Sequence, residues 1–228
     1  MPRDVGVIIV AAGEGRRVGG DVPKQYRIIA GVPLLLRAIR PFRSHPEVRH
    51  IIVVVPGADL EAPPGWLVEA TGDRLQLVAG GATRRASVAA GLAALPAECT
   101  VVLVHDGARP FPPPDVIDGG MAVARNGHSA VPAVPLADTL KRADACGLVL
   151  GTVPRAGLWR IQTPQAFPRD VLERAHAQIQ LEGLEATDDA MLVELDGGRV
   201  ELLPSTVRNL KVTTPEDLVF ATWLATAP

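Results

Sequence analysis

Val5-Gly6-Val7-Ile8-Ile9-Val10, followed by Ala11-Ala12-Gly13-Glu14-Gly15-Arg16-Arg17-Val18-Gly19-Gly20-Asp21-Val22-Pro23-Lys24, is the stretch that decides the fold. Its first six residues are an apolar run that reads as a buried strand. Four glycines then let the backbone turn sharply and approach a ligand closely. Three cations, Arg16, Arg17 and Lys24, stand among them. Glycine and cation after a strand supply what a polyphosphate needs: exposed backbone N–H donors and nearby positive charge. The competing reading is a plain strand-to-helix turn. A Walker A loop is excluded, because Lys24 follows Pro23 and precedes Gln25 rather than Ser or Thr. The dinucleotide fingerprint is excluded too: Val18 stands where its third glycine belongs, and the next strand, Ile51 to Val55, ends in Pro56 rather than an acid.

Working outward, strand and helix patterns alternate along the chain. Pro33 to Arg40 reads as a short helix disturbed at Pro41. Ile51–Val55 and Leu75–Val78 read as strands. Thr83 is placed to cap a helix that Pro96 ends. Thr100–Val104 is a fully apolar strand with His105-Asp106 at its C-terminal end. Pro112 to Asn126 reads as helix and Ser129–Val134 as extended. Helices are expected from about Arg169 and after Thr187-Asp188-Asp189, then a strand at Val200–Leu203. A last helix is capped near Thr214, with Pro215 at its first position. This alternation predicts an α/β fold, a Rossmann-like and mainly parallel sheet with helices on both faces. Ligands bind such sheets beyond the carboxyl ends of the strands. The loops after the first, third and fourth strands then share one rim, and they carry the glycines, the cations and Asp106. Asp138 to Arg155 breaks the rhythm: it alternates around Asp144-Ala145-Cys146-Gly147 and predicts a hairpin arm at about 137–156. The arm is either a surface hairpin without a role or a reach toward a partner subunit. The whole, 1–228, reads as one domain.

Bulk properties narrow the function. With 47% hydrophobic residues and a net charge of −2, the chain can bury a sizeable core and is no general nucleic-acid or acidic-membrane binder. No apolar run approaches a membrane span. Cys99 and Cys146 are far apart and form no metal or redox motif, which fits a cytoplasmic protein. Of 23 basic residues only Lys24, Lys141 and Lys211 are lysine. A lysine kept in a chain that otherwise uses arginine suggests a compact point charge is required there.

The pattern Ala-Ala-Gly-x-Gly-x-Arg followed by Pro-Lys-Gln resembles the signature loop of sugar-phosphate nucleotidyltransferases and, more narrowly, of the 2-C-methyl-D-erythritol 4-phosphate cytidylyltransferase family. Further segments match that family in order. They are Gly80-Gly81 through Ser87, His105-Asp106-Gly107-Ala108-Arg109-Pro110, Asp138-Thr139-x-Lys141, Arg155-x-Gly157-Leu158-Trp159 with Gln162-Thr163-Pro164-Gln165-x-Phe167, Thr187 to Ala190, and Asn209 to Thr213. Together they span almost the whole chain. Two positions depart from the pattern: Ala82 stands where Asp is common, and Pro154 where an acid is common.

The resemblance implies transfer of CMP from CTP to a polyol phosphate, with Mg²⁺ held mostly by the CTP phosphates and Asp106 as its protein carboxylate. It implies that Ala11, Ala12, Gly13, Gly15, Arg16, Gly80, Gly81, Ser87 and Asp106 bind CTP. Arg17 and Lys24 would stabilise charge at the α-phosphate, and Lys211 and Arg155 would place the acceptor phosphate. Asp106, Arg109, Thr139, Thr163 and Thr187 would hold the acceptor. The arm in relatives embraces a second subunit, so a homodimer is implied in which Thr139 and Arg155 serve the neighbour's site. Asp106 keeps two readings on its own residues, an internal pair with Arg109 or a group facing metal or ligand. Arg84-Arg85, taken alone, reads as a solvated pair. The rival functions are a ribitol 5-phosphate cytidylyltransferase and a non-catalytic nucleotide-binding protein, since fold does not fix function.

Overall fold

The computed structural model describes residues 2–13, 23–182 and 186–227, the side chains of 179–182 excepted. β1 (Val5–Val10) lies between two parallel neighbours, β4 (Val48–Val55) and β6 (Val101–Asp106). Between β1 and β4 come a single 3-10 turn at Lys24–Tyr26, a small hairpin of β2 (Ile28–Ile29) and β3 (Val32–Pro33), and helix α1 (Leu34–Ser44). The hairpin turns through Ala30 and Gly31, both at positive φ (44° and 76°), the combination its two-residue turn requires. After β4 come two short helices, α2 (Gly57–Glu61) and α3 (Gly65–Ala70), then β5 (Leu75–Ala79), parallel to β4, and α4 (Arg84–Ala94).

Beyond β6 lie α5 (Pro114–Arg125), β7 (Ser129–Pro135) and a hairpin of β8 (Leu140–Ala143) and β9 (Val149–Val153) whose strands, among the described residues, pair only with each other. The chain closes through β10 (Trp159–Ile161), β11 (Gln165–Pro168), α6 (Arg169–Glu182), α7 (Asp189–Leu195), β12 (Val200–Pro204) and α8 (Pro215–Thr226). β11 runs antiparallel to β6 and touches β7, while β7 pairs antiparallel with β10 and parallel with β12. The eight-stranded sheet is therefore mainly parallel, as expected, but with an antiparallel insertion at its centre.

Alternation along the central strands divides the core. Val7, Ile9, Val53 and Leu103 face α1 and α5, where Leu35, Ile39, Phe42 and Ile117 meet them. Ile8, Val54, Val102 and Val104 face α4, α6 and α7. Helices thus cover both faces, and α8 packs over the small hairpin through Ala221, Ile29 and Leu34. α4 is capped as predicted: Thr83 Oγ1 accepts from Ala86 N at 3.1 Å. α8 begins with a full capping box between Thr214 and Asp217.

The short helices α2 and α3 were not expected, and one expected helix runs past its predicted end. α1 runs through Pro41 to Ser44. Proline there removes one backbone hydrogen bond, but Phe42, fully buried one residue later, anchors the last turn in the core. The register then sets the site. Val10 pairs with both Val54 and Asp106, and Val55 pairs with Ala79. The strand ends are level, and the loops that leave them meet on one rim.

Candidate active site

A cavity of about 260 Å³ opens on that rim, lined by the β1 loop through Gly13, by Lys24, by the Gly81–Arg84 turn, and by Asp106 and Lys211. Glycine is a steric requirement where its two loops touch. A Cβ on Gly80 would lie 2.3 Å from Ala12 Cβ, and one on Gly81 would lie 2.5 Å from Ala86 Cβ. The Ser87 hydroxyl holds the turn, accepting from Gly81 N at 3.2 Å and donating to Thr83 O at 3.0 Å. The Gly81 N–H is taken by Ser87 and the Ala11 N–H by Val54 O at 2.8 Å, so these two residues have only their carbonyls to offer a bound group, beside Ala12 and Gly13 in the lining.

Asp106 is the electrostatic centre. It is 7% exposed, and Lys211 Nζ stands 2.8 Å from Oδ2. Arg109 Nε lies 3.6 Å from the same oxygen and Arg84 Nε 3.7 Å from Oδ1. Burial alone would raise its pKa, but Lys211, Arg84 and Arg109 together hold the carboxyl well below the usual carboxylate range. The internal pair with Arg109 and the cavity-facing role therefore coexist. Arg84 is matched by Asp189, and among the described residues Lys24 and Lys211 against Asp106 still leave the lining with more positive than negative charge, as a triphosphate requires.

A second layer holds Asp106 in place. Thr163 Oγ1 accepts from Asp106 N at 3.0 Å and lies 3.1 Å from His105 Nδ1. His105 Nε2 lies 2.9 Å from Arg109 O. These partners select one arrangement: the Thr163 hydroxyl donates to Nδ1, and Nε2–H donates to the carbonyl. Burial pushes the His105 pKa down to about 4, in keeping with that neutral ring. Arg109 Nη1 donates to Asn209 O at 2.7 Å, and Asn209 Nδ2 donates to Gln162 Oε1 and Thr163 O. Val212 N donates to Ala108 O at 2.9 Å. Lys211 is thereby fixed between two anchored neighbours.

The sequence-picked residues fall into groups. Ala11, Ala12, Gly13, Lys24, Gly81, Ser87, Asp106 and Lys211 line the cavity. Gly80 lies just behind it, its N–H donating to Val55 O at 2.8 Å. Arg109 and Thr163 are buried behind Asp106, and the Thr163 hydroxyl is committed to Asp106 N and His105. Thr139 and Arg155 are exposed on the arm, and Thr187 is exposed ahead of α7; none of the three lines this cavity. Gly15, Arg16 and Arg17 lie outside the described residues.

Arg84, read from sequence as solvated, is the correction. Its Nη1 lies 2.6 Å from Asp189 Oδ2, a carboxylate that is 1% exposed. Asn209 and His105 were given no role of their own by the sequence; their roles come from contacts 46 and 58 residues away along the chain, which no local pattern records.

Among the described residues no three His, Cys, Asp or Glu side chains gather to hold a metal ion. The donor set fits Mg²⁺ of the kind that arrives on a nucleotide. Among the described residues one carboxylate lines the cavity, with Arg84 Nε 3.7 Å from its Oδ1. Mg²⁺ prefers one or two carboxylates plus substrate phosphates to an all-protein cage. Thr163 and His105 are not a nucleophile and base, being 4% and 0% exposed and shut behind Asp106.

Among the described residues, a parallel-sheet rim with a glycine-bearing loop, converging cations and a single carboxylate is the arrangement a nucleotidyltransferase needs. A family model described as 2-C-methyl-D-erythritol 4-phosphate cytidylyltransferase matches residues 5–226. Curated proteins of that name from Frankia casuarinae and Carboxydothermus hydrogenoformans are 44% and 39% identical to the chain. The matches cover 95% and 97% of this chain, and 79% and 95% of theirs. The crystal structure of the protein of that name from Thermus thermophilus superposes with a TM-score of 0.82 at 36% identity, covering 97% of this chain and 98% of its own. The chain belongs to the 2-C-methyl-D-erythritol 4-phosphate cytidylyltransferase family and is an enzyme of that class. No helix among the described residues is long and apolar enough to cross a membrane.

Proposed function

We propose that the enzyme transfers CMP from CTP to 2-C-methyl-D-erythritol 4-phosphate in non-mevalonate isoprenoid precursor synthesis. Pyrophosphate and 4-diphosphocytidyl-2-C-methyl-D-erythritol are the products. The observation that carries the reading is the convergence of the β1 loop, the Gly81 turn, Lys24, Asp106 and Lys211 on one rim cavity in a chain of this family. The acceptor is a phosphate monoester whose second pKa is about 6, so its oxygen is already largely ionised at pH 7 and needs no general base. That oxygen attacks the α-phosphorus in line. A new P–O bond forms, the bond to the β-phosphate bridging oxygen breaks, and pyrophosphate leaves with the electron pair.

The difficulty is bringing two anions together, so the rate rests on positioning and charge. Backbone of the β1 loop and of Gly81 orients the nucleotide. Lys24 and Arg17 offset charge at the α-phosphate, while Lys211 and Arg155 place the acceptor phosphate. Thr139 and Thr187 orient the acceptor, and Asp106, held by Arg109 and Thr163, accepts from a ligand hydroxyl. Mg²⁺ would be held mostly by the CTP phosphates with Asp106 as its protein carboxylate, and would neutralise part of the phosphate charge. The reading includes a cytoplasmic homodimer in which the β8–β9 arm completes the neighbour's site; the exposure of that arm supports it.

The test is pyrophosphate release from CTP and Mg²⁺ with 2-C-methyl-D-erythritol 4-phosphate or ribitol 5-phosphate as acceptor. Release with the first alone is expected. Release with the second alone overturns the substrate and keeps the chemistry. No release with either, from a protein that still binds CTP, overturns the enzyme reading.

A further inference from the structure

Among the described residues, Arg84 is the cavity cation that the reaction as described leaves without a task. It is the first residue of α4, directly after the Gly81–Thr83 turn. Its guanidinium faces two carboxylates at once, Asp189 at 2.6 Å through Nη1 and Asp106 at 3.7 Å through Nε. Asp189 is locked from behind, its Oδ1 lying 3.2 Å from His176 Nε2. The residue before it, Asp188, caps α7 and accepts from Gln165 Nε2 at 2.8 Å. Arg84 therefore joins the turn beside the nucleotide cavity to the segment that carries Thr187, across 105 residues of chain.

Lys211 adds the second half of the argument. Its ammonium rests 2.8 Å from Asp106. When it turns toward an acceptor phosphate, Asp106 loses its shortest ion pair while remaining buried; Arg109 stays 3.6 Å away but also serves the Asn209 carbonyl, so the countercharge from Arg84 counts for more. Arg84 faces the other carboxylate oxygen and is itself held in place by Asp189. A planar fork can serve two carboxylates together, which a lysine ammonium at the same Cα cannot match.

We propose that Arg84 is a positioning residue of the transfer reaction: it braces the Thr187–Asp189 segment against the nucleotide turn and counters Asp106 when Lys211 engages the acceptor. The inference rests on the proposed transfer reaction, and its readouts are taken with whichever acceptor the wild-type enzyme uses. Failure of that reaction appears as a silent wild type. Failure of this proposal appears as an active wild type with an equally active variant.

The experiment is steady-state kinetics on Arg84→Gln, Arg84→Lys, Asp189→Asn and the Arg84→Gln/Asp189→Asn double variant, each with its thermal midpoint. Misplacing reacting groups by about 1 Å costs up to about a hundredfold. Arg84→Gln is expected to lose about tenfold to a hundredfold in kcat and to raise the acceptor KM, with the CTP KM within about threefold of wild type. Asp189→Asn should reproduce this split, and the double variant should be no worse than the poorer single. Arg84→Lys should recover part of the loss. Wild-type kcat and acceptor KM in Arg84→Gln, a loss confined to the CTP KM, or additive effects in the double variant would each overturn the proposal. Should Asp189→Asn melt far below wild type, Arg84→Lys decides: full activity shows that the fork is not needed, and a split loss at an unchanged midpoint sustains it.

Discussion

Asp106 shows how much one side chain can depend on its surroundings. Its carboxylate is buried, and three cations from β6's own turn, from α4 and from the Asn209–Lys211 segment hold it ionised. His105, its neighbour, is the opposite case: fully buried and kept neutral by Thr163 and the Arg109 carbonyl. A buried neutral histidine makes stability depend on pH. Its pKa is about 4 in the folded chain and about 6.5 unfolded. Between these values the unfolded state binds the extra proton, so stability falls as pH drops from about 6.5 toward 4 and is fully present above that window. The contribution is about 3 kcal/mol at most. Urea midpoints of the ligand-free protein at pH 7, 6 and 5 should fall steadily for wild type, and His105→Gln should show a shallower fall. Parallel slopes would mean that His105 is not the group responsible. At this scale the sequence was informative where chemistry is written in a local motif. Gly13, Gly81, Lys24 and Asp106 could be picked because glycine, cation and strand end stand together, and Lys211 through the scarcity of lysine and the family resemblance. Arg84 and Asn209 could not, because what commits them is a carboxylate or a carbonyl brought from far along the chain.

Elements follow the same logic. α4 was legible at both ends, from Thr83 at its cap to Pro96 beyond its last turn, because capping is local chemistry. α1 was cut short at Pro41 because burial of Phe42, which carries it onward, is a tertiary fact. β11 was hidden for a related reason: only four residues long, it is fully buried yet begins with the polar Gln165, whose amide serves Asp188 and Ala190 N. The short helices of 57–70 carry too few turns to register a period. Within α4, Gly91 tests how tightly helix and sheet fit. A Cβ there would come within 2.6 Å of Ile8 Cγ2 and 3.2 Å of Val54 Cγ2. Helix propensity alone would favour alanine by about 1 kcal/mol. Ile8 and Val54 are fully buried in central strands and cannot yield without moving the sheet, so overpacking, typically about 1–3 kcal/mol, should win. Gly91→Ala is therefore expected to lower the urea midpoint; a raised midpoint would show that the helix can ride away from β1.

For the whole molecule, the feature that remains to be placed is the arm. Among the described residues β8 and β9 pair only with each other, and residues 141–152 are all exposed. An isolated two-stranded hairpin is marginal in water. This one carries Leu148, Val149 and Leu150 at 68%, 56% and 62% exposure, and Leu158, Trp159 and Ile161 near its base are also open. Exposed apolar side chains grouped this closely along the chain point to an interaction site. In the proposed homodimer the arm carries Thr139 and Arg155 into the neighbour's cavity, while Lys24, Asp106 and Lys211 come from the protomer that binds CTP. Each site then draws on two chains, and a symmetric dimer holds two equivalent sites. Arg155→Ala and Lys211→Ala proteins should each be nearly inactive alone. Mixed, dissociated and reassociated, they should form heterodimers in which one site has lost both groups and the other is intact. Random pairing makes about half the dimers heterodimers, so about a quarter of wild-type activity should return. If Arg155 instead served its own chain, every heterodimer would carry two damaged sites, and mixing would restore nothing. Sedimentation of the mixture, showing dimers throughout, separates that outcome from a failure to reassociate.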